Sequence, residues 1–259
     1  MRNPNYQEYQ MPKTQAEDSN SIQINFPNEP EKIEKASACA INSDSVRKSF
    51  IRKVLGIIFC QMMVSVFFVL LALFVRPYQN FQNNNVYLFL IAIFVEIFLF
   101  ILMICNKTLC RRVPYNYLCL FTFTIAVSYI LSYLCAISSP EAVIAATVST
   151  TVIVSLLAIY SLVTNRDLTT NVGIVLYVPV GGIILILFLT VWDAVISEII
   201  ISLVIVAIFS VFLAYDIQKL SGKFGIEYSI DDYVFAALGI YVDIILIFKN
   251  LLIIFGASK

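Results

Sequence analysis

Seven long apolar runs dominate this chain of 259 residues and limit the folds that it can adopt. They cover residues 54–75, 86–105, 117–137, 142–163, 173–192, 195–215 and 233–255. A helix of about 20 apolar residues crosses the hydrocarbon core of a bilayer, which is about 30 Å thick. The runs lack the apolar–polar alternation of barrel strands, so helices are expected. The sequence therefore predicts an all-α membrane protein, a bundle of seven transmembrane helices.

The composition separates a polar beginning from this apolar part. Residues 1–45 are rich in Asn, Gln, Glu, Ser and Pro and predict a disordered tail, whereas residues 46–259 form the predicted seven-helix domain. The formal net charge is zero, so nothing points to nucleic acid as a partner. Histidine is absent, and any response to pH must therefore come from carboxylates.

The orientation follows from the loop cations, because cytoplasmic loops carry an excess of Lys and Arg. The tail and the second, fourth and sixth loops hold 14 of the 17 Lys and Arg residues. Arg76 and Lys259 fall on the opposite side, and Lys249 lies inside the last run. The sequence thus predicts a cytoplasmic N-terminus and, with seven spans, a non-cytoplasmic C-terminus.

Two aspartates in the last two runs are the first candidate site. Asp243 lies about ten residues into the last run, or about 15 Å deep. Ala236 and Gly239 share its helical face, and small residues allow another helix to approach closely. Asp216 lies near the cytoplasmic end of the sixth run, so both carboxylates could share one cytoplasm-facing site. The alternatives are a solvated helix end for Asp216 and a buried group needed only for packing for Asp243.

Two glutamates are weaker candidates for an ion pathway. Glu96 lies in the middle of the second run, where charged side chains are costly and often functional. A packing partner is the alternative interpretation for Glu96. Glu198 borders a non-cytoplasmic loop, where helix capping or simple solvation is the alternative.

A set of motifs in a fixed order resembles the Bax inhibitor motif-containing transmembrane family, and specifically its Lifeguard branch. The most specific match is the segment that runs from Asp232 to Ile245 and reads DYVFAALGIYVDII. The other matching stretches, which together with it cover about four-fifths of the chain, read VRKSFIRKV with Gln61, RRVPYNY with Phe121-Thr122, EAVI with Thr150-Thr151, SEI, and AYDIQ around Asp216.

This resemblance implies a seven-helix fold with a central C-terminal helix. It implies calcium leak through an endomembrane, either endoplasmic reticulum or Golgi, and suppression of apoptosis. It also implies that Asp216 and Asp243 are the pH-sensing pair. Independently of the resemblance, two ionised carboxylates offer hard oxygen ligands to Ca²⁺. Calcium ions, membrane lipid and other membrane proteins are the expected partners, and no organic cofactor is expected. The chain differs from many relatives in having Ile217 after Asp216, and Glu96 with no Lys or Arg in the second run.

Three other functions are alternatives to an ion leak. An intramembrane aspartyl protease would place glycines where this chain has Ile240 and Val242, so no enzyme is predicted. A seven-helix receptor would have its N-terminus outside the cell, contrary to the distribution of basic residues. A non-conducting membrane scaffold that regulates other channels or death proteins fits the same sequence and stays open as the alternative.

Overall fold

The computed structural model describes the backbone of residues 29–164, 179–183, 185, 194–222 and 228–257, and most of their side chains from residue 45 onward. The chain divides into two units, Met1–Asn42 and Ser43–Lys259. Everything below concerns the second unit, apart from the start of the first helix. The disorder predicted for residues 1–28 lies outside the described residues.

Every regular element in the described part of the chain is helical. The helices are α1 (Glu29–Phe74), α2 (Arg76–Asn84), α3 (Val86–Cys105), α4 (Lys107–Arg111), α5 (Tyr115–Ile137), α6 (Pro140–Val163), α7 (Ala194–Ser221) and α8 (Tyr233–Ala257), with a short 3-10 turn, η1 (Ile230–Asp232), before α8. The prediction of an all-α fold is confirmed for these residues.

Six segments of the described chain are long and apolar enough to cross a membrane. They are Ser45–Phe74, Val86–Cys105, Tyr115–Ile137, Pro140–Val163, Ser197–Ser221 and Ile230–Ala257. Each covers all but at most two residues of one of the predicted runs. The predicted fifth run, 173–192, lies mostly outside the described residues. The part of it that is described includes residues 179–183, which are helical. The count of seven spans therefore stays a prediction.

Three boundaries differ from the sequence prediction. Helix α1 begins at Glu29, inside the segment 1–45 that the composition assigned to a disordered tail, because Glu, Lys and Ala favour helix there. Helix α2 forms in the polar segment between the first two predicted runs, and its Gln82 is buried. Helix α7 continues beyond residue 215 to Ser221 and ends before Gly222, whose φ of 68° suits glycine after a helix.

Helix α8 lies at the centre of the described bundle. It packs against α4, α5, α6 and α7, and its pairing with α7 is the most extensive among the described helices. It also meets α1, because the Tyr241 hydroxyl lies 2.8 Å from that of Ser65. The small side chains of Ala236 and Ala237 are fully buried and permit this close packing. The central position of the C-terminal helix agrees with the prediction.

Candidate functional site

The carboxylate of Asp216 fits against a glycine of the neighbouring helix. Asp216 lies five residues before the end of α7, and Gly239 lies in the second turn of α8. A Cβ built on Gly239 would lie 2.6 Å from Oδ2 of Asp216, closer than side-chain atoms normally approach. The end of α7 therefore meets the beginning of α8, and the two helices run antiparallel. A methyl group on residue 239 would displace the carboxylate of Asp216 from this position.

Asp243 occupies the next turn of α8, on the same face as Gly239. Its side chain is 5% exposed, which agrees with the interior position that the spacing of Ala236 and Gly239 predicts. Oδ2 of Asp243 is buried and accepts no hydrogen bond from the residues that the structure describes. Asp216 lies close enough for the two charges to interact. The structure thus brings together the two aspartates that the sequence singled out.

Tyr228 is the third polar member of the site. Its hydroxyl donates a hydrogen bond of 2.9 Å to Oδ1 of Asp216, so one carboxylate oxygen is bound by Tyr228 while the other faces Gly239. The ring lies edge-on against Phe235, at 6.3 Å between centroids, and is 6% exposed. Asp216, Tyr228, Gly239 and Asp243 together are called the acidic site below.

The environment of Tyr228 keeps its hydroxyl a donor. Burial raises the pKa of Tyr228 well above its usual value, and the charge of Asp216 raises it further, with a smaller contribution from Asp243. An unperturbed tyrosine ionises near pH 10. The Tyr228 hydroxyl is therefore protonated at every pH of a living cell, and only the carboxylates of this site can titrate there.

A cation and a third helix border the acidic site. The ammonium of Lys219 lies 4.3 Å from the centroid of the Tyr228 ring, a cation–π contact, and its charge also acts on Asp216. The buried hydroxyl of Ser161 in α6 donates a hydrogen bond of 3.1 Å to the carbonyl of Ala214. These contacts fix the turn of α7 that carries Asp216.

Glu96 lies near a different polar cluster. Its half-buried side chain on α3 is close enough for its charge to act on Tyr241, whose hydroxyl meets Ser65. Ser65 in turn lies 3.0 Å from the hydroxyl of Ser128. Tyr241 precedes Asp243 by two positions, and its side chain therefore points to nearly the opposite side of α8. The structure places Glu96 beside this hydroxyl cluster rather than in the acidic site.

Glu198 is far from the acidic site along the same helix. It is exposed near the start of α7, 18 residues before Asp216. At 1.5 Å per residue, the two backbone positions are separated by about 27 Å along the helix. The structure does not bring Glu198 together with the aspartate pair.

The donor set of the acidic site suits a hard cation only in part. In the regions given above, no three His, Cys, Asp or Glu side chains come together as metal ligands. Calcium usually takes six to eight oxygens, which include backbone carbonyls and water as well as carboxylates. The two aspartates would therefore supply the charged part of a Ca²⁺ site, and neutral oxygens would complete it.

Sequence reasoning missed Tyr228 and saw only part of the role of Gly239. Tyr228 lies in the connection between α7 and η1, where no periodicity indicates the direction of a side chain. Gly239 was recognised as a small residue on the face of Asp243, but not as the neighbour of Asp216. The one sequence signal for Tyr228 was an aromatic residue just before Ser229 and the turn η1, and this signal is weak.

The fold and the acidic site define a class: a multi-pass helical membrane protein with a pair of carboxylates, one buried and one half-buried, between two adjacent helices. A family model described as "Inhibitor of apoptosis-promoting Bax1" matches residues 47–259. The chain belongs to this family, which confirms the resemblance seen in its motifs.

Named relatives agree with this assignment. The chain is 31% identical to Protein lifeguard 3 of Homo sapiens over 219 residues, which cover 82% of this chain and 69% of the relative. It is 30% identical to Protein lifeguard 3 of Mus musculus over 220 residues, 82% of this chain and 70% of the relative. It is also 30% identical to LIFEGUARD 4 of Arabidopsis thaliana over 229 residues, 85% of this chain and 89% of the relative. These names do not refer to a catalysed reaction.

Proposed function

We propose that this protein is a pH-sensitive calcium leak channel of an intracellular membrane, which regulates calcium homeostasis and suppresses apoptotic cell death. Membership of a family described by inhibition of apoptosis-promoting Bax1 supports the second part. The observation that carries the first part is the acidic site, in which Asp216 fits against Gly239. One turn away, Asp243 buries an oxygen that has no hydrogen-bond partner among the described residues.

The chemistry of two neighbouring carboxylates provides the gate. In a low-dielectric site two negative charges repel, so ionising both groups is costly. With a proton on one carboxyl group, that group can donate a hydrogen bond to the other and hold α7 against α8. With both ionised, they push the helices apart and offer hard oxygen ligands to Ca²⁺. The leak therefore increases as the cytoplasmic pH rises through the titration of the pair.

The location of the acidic site determines which compartment controls the gate. Asp216 and Tyr228 lie at the end of the bundle that carries the basic lead-in of α1, which we assign to the cytoplasm from the distribution of Lys and Arg. In an endoplasmic reticulum or Golgi membrane, the pair would then sense cytoplasmic pH and release luminal calcium. Glu96 and Glu198 would belong to the ion pathway, away from the gate.

Reconstitution separates a conducting protein from a scaffold. Purified full-length protein in liposomes loaded with Ca²⁺ should release the ion into a medium with a calcium-sensitive dye, and the rate should depend on external pH. A second preparation carrying Asp243→Asn should lose the pH dependence. If the wild type releases no more calcium than protein-free liposomes do, the leak proposal is wrong and a non-conducting scaffold is the remaining function.

A further inference from the structure

One cation of the basic lead-in differs from the others in its contacts. Arg47, at the beginning of the span in α1, is half-buried, whereas the nearby Lys48 and Arg52 are exposed. Its guanidinium donates a hydrogen bond of 2.7 Å to the carbonyl of Lys219 and another of 3.0 Å to the carbonyl of Tyr228. It also lies 5.2 Å from the centroid of the Phe50 ring. Arg47 therefore has a specific structural role besides its part in orienting the chain.

The two carbonyls that Arg47 binds lie on either side of the connection from α7 to α8. Lys219 is in the last turn of α7, where carbonyl groups have no partner within the helix and the dipole attracts a cation. Tyr228 precedes η1 and the start of α8. A planar guanidinium presents several donors in a rigid fork and can bind two acceptors at once, which a lysine ammonium does less well. Arg47 thus fixes the spacing between the two ends of this connection.

Both residues that Arg47 binds through their backbones also contact the acidic site through their side chains. The Tyr228 hydroxyl donates to Asp216, and the Lys219 ammonium lies over the Tyr228 ring and acts on Asp216. Moving either backbone would move these side chains away from the carboxylate. We infer that Arg47 is a positioning residue, through which the N-terminal helix sets the geometry of the acidic site. This inference rests on the proposed leak function.

The effect on pH response has a definite sign. The groups around Asp216 are the Tyr228 hydroxyl, the Lys219 ammonium, Asp243 and the phenol of Tyr215. Tyr228 and Lys219 both stabilise the ionised carboxylate, by a hydrogen bond and by charge. Without Arg47, these two side chains are held less firmly. The ionised pair then forms only at higher pH. The midpoint of the pH dependence of calcium release therefore moves to higher pH.

The test compares Arg47→Gln with Arg52→Gln, which removes an exposed cation from the same helix. Hydrogen exchange of the full-length protein reports on the connection without any assumption about ion leak. In Arg47→Gln, peptides covering residues 228–233 should exchange about tenfold faster, because two charge-assisted hydrogen bonds are lost. Calcium release from liposomes across a pH series should show the midpoint at least about half a pH unit higher, as a weakened donor predicts. Arg52→Gln should change neither quantity.

The outcomes distinguish this inference from the proposed function. If exchange is faster in Arg47→Gln but the wild-type protein releases no calcium, the role of Arg47 in the connection is supported and the proposed leak function is wrong. Faster exchange with an unchanged midpoint would show that Arg47 stabilises the connection but does not position the acidic site. Equal exchange and equal midpoints in the two variants would overturn the inference completely. If Arg47→Gln yields no folded protein, Arg47→Lys keeps the charge and should show the same upward shift in smaller measure.

Discussion

Gly239 of α8 faces the carboxylate of Asp216 on α7, with room for a hydrogen atom but not for a methyl group. The position of Asp216 is fixed from the other side as well, because its Oδ1 accepts the hydrogen bond from Tyr228. The carboxylate therefore cannot yield to a larger residue on α8 without losing this donor. This relationship makes the contact between α7 and α8 sensitive to the size and charge of a few atoms.

Gly239→Ala should disrupt the acidic site. The added methyl group would displace the Asp216 carboxylate, and overpacking of this kind typically costs about 1–3 kcal/mol. Gly256→Ala in the same helix is the matched control, because a Cβ there meets nothing within 4 Å. Thermal unfolding in detergent should show a lower melting temperature for Gly239→Ala than for the wild type. The melting temperature of the control should not decrease. Equal melting temperatures would mean that the carboxylate is not confined by α8.

Tyr228→Phe should move the pH response of the leak upward. Loss of a hydrogen bond to a charged acceptor corresponds to a shift of about one pH unit in the midpoint. The sign is upward because the hydroxyl stabilises the ionised carboxylate and is itself protonated throughout this range. Tyr87→Phe is the control, since Tyr87 is exposed and its hydroxyl donates to Asn85, far along the chain from the acidic site. A downward shift, or the same shift in both variants, would contradict the assigned role of Tyr228.

Alkaline pH provides a separate test of the same tyrosine. Because the pKa of Tyr228 is raised, its contribution to stability is fully present below the pH near 10 at which free tyrosine ionises, and it is lost only above that pH. Absorbance titration of phenolate should therefore give the same curve for the wild type and Tyr228→Phe up to about pH 10. A missing tyrosine in the variant's curve below that pH would show that Tyr228 is exposed to water.

The sequence predicted the parts of this structure that depend on local pattern. The second run, 86–105, has the same bounds as α3, and the small residues before Asp243 correctly indicated that it is buried. The sequence also suggested that Asp216 and Asp243 could share one site, and the helices that carry them, α7 and α8, do pack together. Helix length and apolar content require only neighbouring residues, and for this reason they can be read from one sequence.

The contacts that complete the acidic site could not be predicted in this way. Tyr228 reaches Asp216 because of the path of the connection between α7 and α8, which no periodicity specifies. Arg47 is separated from Tyr228 by 181 positions, and its basic neighbours gave it the appearance of an ordinary cytoplasmic cation. Helix α2 was missed because its polar residues resemble a loop, although Gln82 finds a buried partner in Ser132.

The orientation of the chain can be tested apart from its function. We expect a tag at the N-terminus to be digested and a tag at the C-terminus to be protected in sealed microsomes, because the loop cations favour a cytoplasmic N-terminus and seven spans. Detergent should expose the protected tag and serves as the control. A protected N-terminal tag would place the acidic site on the luminal side and exclude a sensor of cytoplasmic pH.

Burial should decide which acid controls the leak. Asp243→Asn should change both the rate of calcium release and its dependence on pH, because Asp243 is buried one turn from the Asp216 contact. Glu198→Gln is matched in chemistry but removes an exposed charge at the far end of α7, so it should leave the pH dependence unchanged. Equal effects of the two variants in liposome flux would show that burial and position do not identify the gate.

The most direct measurement is calcium flux from liposomes for the wild type, Asp216→Asn, Asp243→Asn and the double variant, over a pH series from about 5 to 8. Two interacting carboxylates titrate as one unit. Removing either carboxylate should therefore abolish the interaction that makes the other one respond to pH. Each single variant should flatten the dependence of flux on pH, and the double variant should add little more, as expected for coupled sites. If the two single effects simply add, the carboxylates act independently, and the proposal that Asp216 and Asp243 form one gate is wrong.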